Sequence, residues 1–334
     1  MSDYYKTYDL KHVINASGKM TILGVSKVPE VAIEAQQFGD THFFEIKDLV
    51  DKTGAYIAKK LGTEGAVVVN SASAGIAEAV AGIIGQGSKY HAYHPFSPRF
   101  TKREIILPKG QNVDYGTPEE VMIELGGGQV VEAGYANMCT PEHIEMMITE
   151  QTAAIFYVKS HHAVQKSMLT IPEALEVAHK HDLPLILDAA AEEDLKKYVD
   201  LGVDVVLFSG AKAIEGPASG LVFGKEPYIG WTKLQSLGIG RAMKIGKENI
   251  LGFTTALIHY LDNGPESGDA MKARLHPFVA ALNEVPHLNV KEVQDGAGRP
   301  IFRAAVTVEA TSPKNAKQVT AALKAGDPAI YTRE

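Results

Sequence analysis

The chain of 334 residues is long enough for a large core and about two domains. With 45% hydrophobic and 22% charged residues and a formal net charge of -7, it has no basic block that would make nucleic acid its main partner, which leaves at most a local patch for RNA. A single cysteine, Cys139, excludes an internal disulfide, no Cys/His set has zinc spacing, and neither an apolar signal core nor a run near the roughly 20 apolar residues of a membrane span occurs, so a soluble, cytoplasmic protein without a metal is expected.

After the polar start MSDYYKTYDLK, the run HVINASGKMTILG is a short apolar stretch followed by a loop of Ser, Gly and Lys. VPEVAIEAQQFGD and IKDLVDKTGAYIAKKLG place apolar residues at helical spacing and are closed by glycine. AVVVN reads as a strand, and SASAGIAEAVAGIIG follows it directly as a helix of strong formers. REIILP, QVVEAG, AAIFYV, LPLILDA and DVVLFSG are continuous apolar runs, the pattern of parallel strands buried on both faces. Between them, Thr117 before Pro118, Thr140 before Pro141 and Thr170 before Pro172 are helix-start signals, each a capping hydroxyl beside a first-turn proline. This alternation predicts an α/β fold with a mostly parallel, doubly wound sheet. Beyond Gly252 the helical TTALIHYLDNG and AMKARLHPFVAALNEV precede the looser strands LNVKEVQD and IFRAAVTVEA, a smaller α+β texture. The expected organisation is an N-terminal segment (1–50), a large domain (51–252) and a small C-terminal domain (253–334).

Asp188 closes the strand LPLILD, and Lys212 follows the strand VDVVLF through Ser209, Gly210 and Ala211. Their separation of 24 residues is one strand, helix and strand, and a right-handed crossover then puts both at the carboxyl ends of neighbouring parallel strands, where open α/β sheets bind ligands. A plain salt bridge would use the same two residues. In VVVNSASAG a strand enters a helix through Ser71, Ala72, Ser73, Ala74 and Gly75, so amides and two hydroxyls surround a helix N-terminus. That is an anion site by its chemistry, although a tight turn of small residues has the same composition, and the Walker pattern is missing. Amine, carboxylate and anion nest together match pyridoxal 5'-phosphate: the amine forms an imine with the aldehyde, the carboxylate keeps the pyridine nitrogen protonated, and the amides hold the phosphate. His91 and His94 lack a further ligand at metal spacing, the other glycine clusters complete no dinucleotide fingerprint, and Cys139 has no base beside it.

In its order of phosphate loop, Asp and Ser-Gly-x-Lys the chain resembles fold-type I pyridoxal-phosphate enzymes, the PLP-dependent transferase fold. VINASG, VVVNSASAG, TAAIFYVKSHH, LPLILDAAAE, VLFSGAKAIEGPASG and AGDPAIYTR, spread from Val13 to Arg333, are similar to the selenocysteine synthase-like branch. The resemblance implies that Lys212 is the Schiff-base lysine, Asp188 the pyridinium partner, and Ser209 with Ser71, Ala72, Ser73 and Ala74 the phosphate ligands, with Ala190 flat on the ring. It also implies that His161 or His162 touches the cofactor's phenolic oxygen or the substrate, each being equally readable as a structural histidine. Gln111 and Tyr115 lie in a loop able to cover the other face of the ring.

Selenocysteine synthases that grip RNA carry an additional N-terminal domain, and VINASG beginning at Val13 leaves no room for one. The implied activity is therefore an ammonia-releasing α,β-elimination on a small phosphorylated amino sugar acid, with Lys19, Arg303 and Arg333 as candidate substrate residues. A selenocysteine synthase-like transfer, another lyase or racemase reaction, and a non-enzymatic protein keeping the fold are the other classes. The resemblance implies a homodimer or larger homo-oligomer. In this branch the segment resembling AGDPAIYTR leads into a further strand and helix, so the small domain is expected to lack roughly 25 to 40 residues at its end.

Overall fold

The computed structural model describes residues 3–160, 162–294 and 300–333. Contacts divide the chain into two compact units, Met1–Ser26 with Gly264–Glu334, and Lys27–Asn263. The first unit opens with α1 (Tyr4–Tyr8) and β1 (Val13–Ala16). The second runs through α2 (Glu30–Thr41), α3 (Ile46–Leu61), β2 (Gly65–Val69), α4 (Ala72–Gly85), α5 (Lys89–Tyr93), β3 (Glu104–Pro108), α6 (Glu119–Leu125), β4 (Gln129–Ala133), α7 (Pro141–Glu145) and β5 (Thr152–Val158). It continues through α8 (Ile171–Lys180), β6 (Leu185–Asp188), α9 (Lys196–Asp200), β7 (Val205–Ser209), β8 (Gly220–Gly224), α10 (Tyr228–Leu234) and α11 (Lys247–Asn263). The first unit resumes with α12 (Gly268–Asn283), β9 (Leu288–Gln294), β10 (Phe302–Val308), α13 (Ala316–Ala325) and β11 (Ala329–Thr332).

The second unit is built on a seven-stranded sheet in the order β2-β8-β7-β6-β5-β3-β4. The continuous apolar runs are strands buried on both sides: along β5, Ile155 and Tyr157 enter one hydrophobic cluster while Ala154, Phe156 and Val158 enter the other. Every pairing from β7 to β4 is parallel, as the alternation predicts. The short run GLVFG supplies a strand that the sequence reading does not separate from its loop: β8 pairs antiparallel with both β7 and β2, so the sheet is mixed. Three apolar residues between two glycines, directly after a glycine-rich loop, carry too little periodicity to be told from the loop.

The helix starts follow their signals unevenly. At α8, Thr170 Oγ1 accepts the Glu173 N–H at 3.3 Å while Glu173 Oε2 accepts the Thr170 N–H at 2.6 Å, a complete capping box. At α6 the cap position is Pro118, with no side-chain cap bond, and Asn112 Oδ1 accepts the Glu120 N–H at 3.4 Å instead of Thr117 serving there.

The unit boundaries also differ from the expected 1–50, 51–252 and 253–334. Residues 27–50 belong with the sheet, because α2 packs along α11 and α3 packs on β2 and α11. A boundary at Gly252 would cut α11, whose Phe253, Ala256 and Leu257 are fully buried in the core of the second unit. In the first unit, β1 pairs parallel with β11, Val13 opposite Ala329, and β9 pairs antiparallel with β10 beneath α12.

At the opposite end of the sheet from the carboxyl termini of its parallel strands, Asp204 is 4% exposed and collects three donors. It accepts the Leu185 N–H at 2.9 Å, Lys225 Nζ at 2.9 Å and His179 Nε2 at 3.0 Å, which ties the start of β6 to α8 and to the end of β8. His179 and Lys225 reach solvent, so Asp204→Ala is expected to cost about 2 kcal/mol, mainly through the buried Leu185 N–H left without an acceptor. Urea denaturation checks this, and an unchanged midpoint would show that the carboxylate does not hold these elements.

Candidate active site

β5, β6 and β7 end side by side, Val158 opposite Asp188 and Asp188 opposite Leu207. By alternation Asp188 follows Ile186 to the face of the sheet that α4 covers. Asp188 is 8% exposed, and its Oδ1 accepts the Ala190 N–H at 2.9 Å. The turn after β6 therefore aims the carboxylate, while Ala190 also accepts the Ser209 N–H at 3.3 Å and joins that turn to the end of β7. Burial pushes the Asp188 carboxyl up, against the neighbouring Glu119, the Ala190 N–H and the charge of Lys212.

Lys212 sits half-buried in the loop between β7 and β8. Gly210 N–H donates to the Ser219 carbonyl at 2.9 Å and Gly216 N–H to the Gly210 carbonyl at 2.8 Å, closing the loop at its base. Glycine is required there, since a Cβ at Gly210 would overlap Ser219 Oγ. The Lys212 ammonium acts on Asp188 and Glu119 through its charge, and among the described residues it makes no ion pair with Asp188, so the plain salt-bridge reading lacks support.

The third element is the N-terminus of α4. Ser71 is its cap, with Oγ accepting the Ala74 N–H at 3.0 Å. Of the expected phosphate ligands, the Ala74 amide is thus engaged by the cap, while the Ser71 hydroxyl keeps its own proton to donate and the Ala72 and Ser73 amides in the first helical turn are left to meet an anion. Ser209 lies opposite Gly220 in the β7–β8 register, and a Cβ on Gly220 would collide with the Ser71 carbonyl carbon and come within 2.6 Å of the Ala72 nitrogen. Ser209 and the Ser71–Ala74 segment are therefore brought together across one glycine. Gly75 lets α4 settle on the sheet, where a Cβ would stand 2.9 Å from Val222 Cγ2 and 3.0 Å from Leu207 Cδ2.

Other expected residues take different places. Gln111 is buried and its Oε1 accepts the Val158 N–H at 2.9 Å, so it braces the loop after β3 against the end of β5. His162 is exposed, with its N–H on Ser160 Oγ at 3.2 Å, and His161 lies outside the described residues. Lys19, Arg303 and Arg333 lie in the first unit: Lys19 exposed after β1, Arg303 in β10 opposite Val293, Arg333 exposed after β11. His91 is fully buried with its ring edge-on to Phe100 at 4.6 Å, and burial pushes the Cys139 thiol up to about 11.

One residue was missed. Glu119, the first residue of α6, is fully buried, and neither carboxylate oxygen has a donor among the described side chains and amides. It faces Asp188 and Tyr115, and burial, then the Asp188 charge, pushes its carboxyl up to about 10. Tyr115 in turn lies 3.2 Å from Ser73 Oγ through its hydroxyl, which burial pushes up to about 12. An acid in the first turn of a helix ordinarily reads as a solvated residue favoured by the helix dipole, so Glu119 gives no signal in the sequence.

A family model described as L-seryl-tRNA selenium transferase matches residues 96–277. The chain is 45% identical over 332 residues to the D-glucosaminate-6-phosphate ammonia lyase of Salmonella typhimurium (strain 14028s / SGSC 2262), covering 99% of this chain and 89% of that protein. It is 33% identical over 334 residues to a 5'-C-glycyluridine monooxygenase-decarboxylase of a Streptomyces species, covering 99% of this chain and 84% of that protein. Among solved structures, that of a D-glucosaminate-6-phosphate ammonia-lyase superposes with a TM-score of 0.94 at 43% identity, over 100% of this chain and 90% of that one.

Because Gly220 is what allows Ser71 and Ala72 to lie on β8, Gly220→Ala is expected to displace the N-terminus of α4 and weaken pyridoxal phosphate binding by about tenfold or more while circular dichroism stays unchanged. Fluorescence titration with the cofactor checks this, and wild-type affinity would remove the glycine from the cradle.

Proposed function

The chain belongs to the L-seryl-tRNA selenium transferase family, and on that footing we propose that it is a pyridoxal-phosphate-dependent ammonia-lyase converting D-glucosaminate 6-phosphate to 2-keto-3-deoxygluconate 6-phosphate and ammonia. The observation that carries this reading is Lys212 and Asp188 at the ends of adjacent parallel strands beside the α4 N-terminus, in a chain 45% identical to an ammonia lyase of that name. The residues fit the cofactor. Asp188 is a buried carboxylate, Lys212 a half-buried amine, and the Ser71–Ala72 peptide lies so close on Gly220 that a Cβ there would strike it, which sets the head of α4 beside Ser209.

When bound, the cofactor supplies an aldehyde carbon for amines and a cationic ring that draws electrons from the substrate's α-carbon. Lys212 Nζ would hold that aldehyde, and as a free amine it would serve as the base for the α-proton. Asp188 would accept the hydrogen bond of the protonated ring nitrogen and keep the proton there. The Ala72 and Ser73 amides with the Ser71, Ser73 and Ser209 hydroxyls would take the cofactor phosphate. Departure of the 3-hydroxyl needs a proton donor, for which Lys212, His161 and His162 are the candidates. Water returns in the final hydrolysis, so the net change is loss of one ammonia. Lys19, Arg303 and Arg333 are proposed for the substrate's phosphate or carboxylate, and the resemblance supports a cytoplasmic homo-oligomer. No described helix is long and apolar enough to cross a membrane.

Lys212→Ala is expected to abolish both the visible absorption of the lysine-bound cofactor and turnover without unfolding the protein; near-wild-type ammonia release would overturn the assignment. Asp188→Asn should keep bound cofactor yet lose several orders of magnitude in rate, because an amide cannot hold the ring nitrogen protonated. D-glucosaminate 6-phosphate should react far better than D-glucosaminate, since binding energy at a distal phosphate is available to the chemical step. An ammonia assay on both sugars decides it, and no ammonia from either, with turnover of 5'-C-glycyluridine under oxygen, would favour the chemistry named for the Streptomyces relative instead.

A further inference from the structure

A fully buried carboxyl group whose two oxygens meet no donor is costly as an anion, and more so beside a second carboxylate. Glu119 is close to that position: it is fully buried and faces Asp188, neither of its oxygens makes a hydrogen bond among the described residues, and the Tyr115 hydroxyl that also faces it lies 3.2 Å from Ser73 Oγ. A single proton resolves both problems, because it removes one charge and turns an acceptor–acceptor contact into an O–H···O hydrogen bond. The proton belongs on Glu119. Asp188 has the Ala190 N–H on its Oδ1 at 2.9 Å to support a charge, whereas Glu119 has no such amide. The groups facing Glu119 are Asp188, Lys212 and the Tyr115 hydroxyl, and Tyr115 links it on to Ser73 in the phosphate loop.

We propose that Glu119 is a positioning residue for the pyridinium partner: as a neutral carboxylic acid it donates a hydrogen bond to Asp188, holding that carboxylate in place as an anion and moderating its basicity. This rests on the role given to Asp188 above. Asp188 is thereby held from two sides, by the turn after β6 through Ala190 and by the head of α6 through Glu119. Glu119 also carries a pH signature. Its folded value lies above its unfolded one, so unfolding releases the proton, and the stability it contributes declines as pH rises from the ordinary glutamate range towards about 10.

The direct test is infrared spectroscopy of the full-length protein with and without bound pyridoxal phosphate, from about pH 6 to about pH 9. The wild-type minus Glu119→Gln difference should show the carbonyl stretch of one un-ionised carboxylic acid throughout, and Asp188→Asn should move that band because its acceptor changes from carboxylate to amide. Absence of the band, or a band indifferent to Asp188→Asn, overturns the proposal. In steady-state assays Glu119→Leu, which has no donor, should lose about tenfold or more in kcat with KM little changed, and Glu119→Gln, a neutral donor of similar size, should recover most of that loss. A glutamine variant as impaired as the leucine one, both folded by circular dichroism, overturns it, since Glu119 would then act as an anion. If the leucine variant does not fold, the infrared result alone decides. If the band behaves as expected but Lys212→Ala keeps the visible cofactor band and turnover, the reading of the active site fails and takes the positioning role with it, while the shared proton stands.

Discussion

A carboxylate sealed at the end of a buried strand keeps its charge only if donors are aimed at it, and the site is organised around meeting that demand at Asp188. The strand places it: β6 lies between β5 and β7 with apolar side chains on both faces, so its last residue has no room to turn towards solvent. The turn that follows then spends the Ala190 N–H on the carboxylate and the Ala190 carbonyl on Ser209, so the residue that holds Asp188 also fixes the end of the neighbouring strand. Lys212 adds a positive field from the next loop. An arrangement of this kind is suited to keeping a proton on a ring nitrogen brought against it.

Close approach of backbone to backbone is the second constraint. The helix that offers amides to an anion must lie on the strands that carry Ser209 and lead to Lys212, and side chains at two positions would hold it off. Gly220 beneath the Ser71–Ala72 peptide and Gly75 against Val222 and Leu207 are glycine for that reason, while Gly210 beside Ser219 lets the Lys212 loop close. The inserted strand β8 makes this possible, since its antiparallel return beside β7 brings Gly220 level with Ser209 and leaves the Lys212 loop as the connection between them.

The first unit follows a different logic. VINASG near the start and AGDPAIYTR near the end, both of which carry family resemblance, form the parallel pair β1–β11, so segments more than 300 residues apart in sequence meet in one unit. A pairing at such sequence distance has no local signature, which is why 1–26 reads as part of a leading segment.

From the sequence alone came the elements whose information is local: strands buried on both faces from continuous apolar runs, the α8 cap from Thr170 and Glu173, and the nearness of Asp188 to Lys212 from a crossover length that handedness constrains. The family resemblance added the cofactor and the roles. Tertiary structure alone decided what depends on meetings between distant segments. It set the Gln111 amide oxygen against the Val158 N–H, it turned GLVFG into a strand between β2 and β7, and it buried Glu119 against Asp188. The physical reason is common to all three: periodicity and capping act over a few residues and leave a trace in the sequence, whereas burial of a polar group or pairing of a short strand is set by whatever the rest of the chain packs against it.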